Sequence, residues 1–185
     1  MPQQLVTKER IEQEVRKAVA ETLGCDADAV EMDKSLIEDL EAQSLDFLDI
    51  NFRLEQAFGV KMARHFVLEH VEEVFGEGKA IDENSEVTEA AVKLLKLRMG
   101  DDYPVEAGMP IDELPSLVTP ATFANGVEEI LDSLPEKCAV CGDTHWKAED
   151  GAHITCANGH PAQFKTGDDL IVEFIKKVND EHKLF

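Results

Sequence analysis

Three cysteines and a histidine gathered in one short stretch constrain this chain more than any other feature. Cys138 and Cys141 form a C-x2-C pair, and after a gap of fourteen residues Cys156 and His160 form C-x3-H. Two such tight knuckles bring soft and borderline ligands onto one ion, and three thiolates with one imidazole make a closed tetrahedral site for Zn2+. Gly142 and Gly159 let the backbone turn close to the metal. His145 and His153 are rival ligands in the intervening hairpin, but His160 alone is paired with a cysteine inside a knuckle. With every position filled by protein there is no place for a reactive water, so the metal is expected to hold the fold and not to catalyse. The remaining cysteine, Cys25, follows Gly24 and is expected to be a small buried apolar residue.

Upstream of the cysteines the pattern is helical. Ile11, Val15, Ala18, Val19 and Thr22 share one helix face that Gly24 can terminate, and Ser44–Phe58 reads as a second helix with Leu45, Leu48, Phe52 and Ala57 or Phe58 between carboxylates. Two short helices follow, with apolar rows Val67, Val71, Val74, Phe75 and Val87, Ala91, Leu94, Leu95. The stretch DDYPVEAGMPIDELPSL has three prolines and no clear period, which predicts an irregular surface loop. Thr119 and Pro120 suit the cap and first position of a fifth helix with Phe123, Val127, Ile130 and Leu131 on its apolar side. Pro135 breaks it. After the cysteine segment, TGDD at Thr166–Asp169 reads as a capping box ahead of a closing helix bearing Ile171, Phe174, Ile175 and Val178.

The segment SLIEDLEAQSLDFLDINFRLEQAFGV resembles the centre of an acyl carrier protein, in which a loop ending in a D-S-L triplet leads into an acidic recognition helix. The residues that carry the resemblance are Leu40, Ser44, Leu45, Asp46, Leu48, Asp49, Ile50, Leu54, Glu55, Phe58 and Gly59. It covers about residues 10–60 and resumes in 117–134. Gln43 and Glu41 stand where the family has aspartate and glycine. The resemblance implies a 4′-phosphopantetheine arm on Ser44, holding an acyl or related group as a thioester. It also implies partner-facing carboxylates at Asp39, Asp46, Asp49 and Glu55. Independently of the family, a helix N-terminus with its unpaired N–H groups favours a phosphodiester on a serine placed there. Carboxylates around it attract arginine and lysine on successive partners. The cysteine knuckles resemble those of the small zinc module that begins a family of rRNA guanine-N1 methyltransferases.

Lysine and arginine total 18 against 39 aspartate and glutamate, a formal net charge of -21, which disfavours nucleic acid and anionic lipid and suits basic partner surfaces. No apolar run is long enough for a membrane span, and MPQQLVTKERIEQEV has no apolar core behind a basic start, so the expected compartment is the cytoplasm. The expected fold is mainly α: an acyl-carrier-like helical bundle over 1–135 with an insertion at about 63–116, then a small β zinc ribbon with a terminal helix over 136–185. The insertion's rows are expected to bury against the carrier core. The expected function is a carrier and not an enzyme, served by a phosphopantetheinyl transferase and acyl-processing enzymes. The alternative is an acidic protein-binding adaptor that keeps the scaffold without the prosthetic group.

Overall fold

A computed structural model describes residues 3–185. The fold is mainly α with one small hairpin: α1 Lys8–Leu23, α2 Ser44–Phe58, α3 Val67–Phe75, α4 Glu89–Met99, α5 Pro120–Asp132, β1 Trp146–Glu149, β2 His153–Cys156 and α6 Gly167–His182. Two compact units form, one from the chain up to Met62 with Val118–Gly167, the other from Ala63–Leu117 with Asp168–Phe185.

In the first unit, α1 packs on α2 and α5. The Thr7 hydroxyl caps α1 by accepting the Arg10 N–H at 3.2 Å, and Gly24 closes it in the left-handed region at φ 70°. Its inward face is Ile11, Val15, Ala18 and Val19, all buried, as the periodicity predicts. From α5, Phe123 meets Phe47 of α2 with ring centroids 6.2 Å apart. The hairpin β1–β2 is antiparallel, pairing Trp146 with Cys156 and Glu149 with His153. It sits at the C-terminal end of α2, where the His153 Nε2 lies 3.0 Å from the Gln56 carbonyl oxygen. Gly59 is required there, because it has φ 67° and a side chain on it would meet the His153 ring at 3.3 Å. The Trp146 indole N–H donates to the Pro135 carbonyl at 3.0 Å. Cys25 is exposed, not buried as the sequence predicts: the chain leaves α1 at Gly24, so the next residue points away from the helix's inward face.

The second unit has its own core. Leu68, Val71, Ala80, Val87, Ala91, Leu94 and Val105 bury together with Ile171, Ile175 and Val178 of α6. The expectation that the inserted rows bury against the carrier core is therefore replaced by a core they build with α6. The physical reason is that α6 brings a complete apolar stripe of its own, and each large aliphatic side chain gains about 1.5–3 kcal/mol on burial. The proline-rich stretch is not only a surface loop: Ile111–Leu117 is a 3-10 helix and Val105 is fully buried. Arg98 lies over the Phe174 ring, 5.0 Å from its centroid. At the start of α6, Asp168 accepts the backbone N–H of Arg64 at 3.0 Å and of His65 at 3.3 Å, and contacts the His70 ring at 2.9 Å. Burial opposes ionisation of Asp168, yet the Arg64 N–H, the His70 ring and the His65 N–H together hold its carboxyl below the usual value.

Candidate functional site

Ser44 occupies the first position of α2 and is exposed. The preceding residue, Gln43, is the N-cap, with φ -104°. Its backbone N–H donates to the Asp46 carboxylate at 2.7 Å, which fixes how the chain enters the helix. Glu41 adopts φ 57°, the left-handed region that a residue with a β-carbon enters at a cost of about 1–2 kcal/mol. This is the position where the resembling family has glycine, the residue that enters that region without strain.

The α2 helix carries two apolar rows. Phe47, Ile50, Leu54 and Phe58 are buried, whereas Leu45, Leu48 and Phe52 are 75%, 52% and 57% exposed. Successive helical residues are about 100° apart, so the two rows, offset by two positions, face nearly opposite directions. The sequence predicts Leu45, Leu48 and Phe52 as the apolar side of this helix; the structure instead buries Phe47, Ile50 and Leu54, because that is the side packed against α1 and α5. The outward row starts beside Ser44 and runs along the helix for about 12 Å from Ser44 to Phe52.

The acidic residues divide in the same way. Asp39 is exposed and accepts the Ser35 N–H at 2.8 Å. Asp46 is half-buried and bound into the cap. Asp49 receives the Arg53 guanidinium at 2.8 Å and the Thr22 hydroxyl at 2.7 Å, and these two contacts, Arg53 first, hold its carboxyl below the usual value. Glu55 does not face a partner. It is only 4% exposed, accepts the Met62 N–H at 3.0 Å and pairs with Lys61 at 3.5 Å, because it lies on the inward side of α2 next to Leu54.

At the hairpin, one ligand atom from each of Cys138, Cys141, Cys156 and His160 comes within 4.8 Å of all the others. The Cys141 and Cys156 sulfurs are 3.7 Å apart, and the Cys156 sulfur is 3.5 Å from His160 Nδ1. A tetrahedral ion with metal–sulfur bonds of about 2.3 Å and a metal–nitrogen bond of about 2.0 Å needs edges of about 3.8 and 3.5 Å. The donor set and its spacing fit such an ion. Each knuckle is closed by a backbone turn, Gly142 N–H to the Cys138 carbonyl and Gly159 N–H to the Cys156 carbonyl, both 2.8 Å. Backbone hydrogen bonding at Asp143 and then the Asn158 amide lower the Cys141 thiol to about 6, favouring the thiolate a metal requires, while burial pushes Cys156 up. The rival histidines are engaged elsewhere: His145 Nδ1 lies 3.0 Å from Asp143, and His153 faces Gln56.

The family described as "phosphopantetheine attachment site" matches residues 13–77, running past Val60 through α3. Over 49 residues the chain is 47% identical to an acyl carrier protein of Campylobacter jejuni subsp. doylei, covering 26% of this chain and 64% of that one. Over 55 residues it is 36% identical to the acyl carrier protein of Petrotoga mobilis, covering 30% of this chain and 65% of the relative. Against that of Rubrobacter xylanophilus the figures are 40% over 55 residues, 30% and 68%. Thus the chain spans a little under two thirds of the length of the first of these relatives, and the match takes up under a third of its own. No solved structure matches. The matched segment is a carrier domain of the phosphopantetheine-attachment class, and Ser44 lies within it at the head of α2. Through that domain the chain belongs to the acyl carrier protein family. Among the described residues no helix is long and apolar enough to cross a membrane.

Proposed function

We propose that the protein is an acyl carrier whose 4′-phosphopantetheine arm is attached to Ser44. The observation that carries this reading is the exposed hydroxyl at the first position of α2, within the segment that matches the family. When bound, the arm supplies a terminal thiol that holds an acyl or related group as a thioester. Ser44 is its tether. The N-terminus of α2 offers N–H groups and a partial positive charge to the phosphodiester. Leu45, Leu48 and Phe52 form the apolar strip on which a phosphopantetheinyl transferase and acyl-processing enzymes dock, and Asp39 with the neighbouring carboxylates meets basic patches on those partners. Cys138, Cys141, Cys156 and His160 hold Zn2+, which fixes the hairpin at the end of α2. We place this activity in the cytoplasm.

The test is intact mass after incubation with coenzyme A and a broad-specificity transferase. Wild type should gain one arm and Ser44→Ala none. Equal modification of the two would contradict Ser44 as the site. Modification of neither by several transferases would favour the acidic adaptor, a reading that rests on Gln43 and Glu41 replacing the family's residues.

A further inference from the structure

His70 is the second unit's buried histidine, with its side chain only 6% exposed, and its two ring nitrogens are treated differently. Nε2 lies 2.9 Å from Asp168 Oδ1. That carboxylate already accepts backbone N–H groups from Arg64 and His65, so it acts as an acceptor toward the ring as well. A ring hydrogen therefore sits on Nε2, which leaves Nδ1 as the nitrogen free of that carboxylate. Nδ1 is buried and has no hydrogen-bond partner. A buried ring nitrogen left unpaired is costly, so its surroundings matter.

Those surroundings are ligand-like. Glu73 Oε2 lies 3.7 Å from His70 Nδ1, and Glu73 Oε1 lies 4.0 Å from His65 Nδ1. The two imidazole rings lean together, centroids 5.7 Å apart at 31°. One carboxylate thus presents an oxygen to each of two imidazole nitrogens. An ion bound at about 2.0–2.2 Å would set such atoms roughly 3.0–3.5 Å apart. The three ligand atoms do not all lie within 4.8 Å of one another, so binding requires His65 and Glu73, both largely exposed and able to move, to swing toward His70, which stays fixed by its carboxylate. A histidine whose other ring nitrogen donates to a carboxylate is the common way proteins orient a metal-binding imidazole.

We propose that His65, His70 and Glu73 form a second metal site, open to solvent and suited to a divalent transition cation such as zinc, with Asp168 as the residue that positions His70. Two imidazoles and one carboxylate favour zinc, copper or nickel over magnesium or calcium. The site would tie the start of α3 to the start of α6 within this unit.

The test uses the full chain with the cysteine site already saturated, so that failure here says nothing against that site or against Ser44. Zinc is added while the imidazole ring nitrogens are followed by NMR. One further equivalent should shift the Nδ1 resonances of His65 and His70, saturating at a stoichiometry of one. His65→Ala and Glu73→Gln, both at exposed positions and therefore folded, should each weaken this binding at least tenfold and leave the cysteine-bound ion in place. Ring nitrogens that stay unmoved in excess zinc, or equal affinity in wild type and both variants, would overturn the proposal and leave His70 as a lone buried imidazole.

Discussion

The hairpin that holds the cysteines and the helical cluster that contains α6 reach order by different routes. Between Cys138 and Ala162 the buried apolar side chains are few and small, chiefly Ala152, Ile154 and Ala162 beside the cysteines themselves. The second unit buries Leu68, Val71, Val87, Leu94, Ile171, Ile175 and Val178 in one continuous core. Burial at about 0.8 kcal/mol per methylene can hold the second and falls short for the first. A short hairpin with so little to bury needs its metal, whereas the helical cluster folds without one. Zinc at His65 and His70 would be an addition to a fold already made.

The largest effect expected from this contrast is metal removal. Structural zinc supplies on the order of 10 kcal/mol in small domains, so a chelator, or Cys138→Ser, should collapse amide dispersion over residues 136–164. Amides of the second unit should stay dispersed. If both regions lose structure together, the contrast fails.

Next in size is Leu94→Ala. Its side chain is fully buried in the core shared with α6, so the loss should be about 2–5 kcal/mol, read by chemical denaturation. Hydrogen exchange should accelerate in α4 and α6 and not in the hairpin.

Asp168→Asn sharpens the comparison through pH. The folded carboxyl sits below its ordinary value, so its contribution is present above the unfolded value, near 3.9, and is lost as pH falls through the folded one. At neutral pH the substitution should cost about 1–2 kcal/mol, and its cost should fade in acid. A cost that does not change with pH would show that the ionised carboxylate is not what stabilises the start of α6.

The smallest effect lies in the loop before Ser44. Glu41→Gly relieves the left-handed strain at φ 57° but adds backbone freedom to the unfolded chain, so a gain of at most about 1 kcal/mol in thermal unfolding is expected. A clear loss of stability would mean that the Glu41 side chain contributes contacts that outweigh the strain.

Much of this was legible in the sequence because local chemistry carried it. Thr7 and Gly24 bracket α1, Thr119 and Pro120 open α5, and the knuckle spacing selects His160 over His145 and His153. What was not legible depends on tertiary partners. α2 has two apolar rows of similar spacing, and only packing against α1 and α5 decides that Phe47 and Ile50 go inward while Leu48 and Phe52 stay out. Glu55 reads as one more surface carboxylate until the chain returns with Met62 to donate to it. The stripe on α6 announces that it must be buried but not against what, since the core that receives it is assembled from residues about a hundred positions earlier. His70 and Asp168 have no sequence signal for the same reason.

The central claim is that Ser44 is the tether, and peptide mapping tests it most directly. Cleavage after Lys34 and Arg53 yields a peptide that contains two serines, Ser35 and Ser44. Ser35 accepts the Glu38 N–H at 3.1 Å through its side-chain oxygen, which holds it in the turn ahead of α2. After transferase treatment, fragment ions should place the arm on Ser44, with every fragment that ends before Gln43 unmodified. An arm on Ser35, or on any residue outside this peptide, would contradict the account.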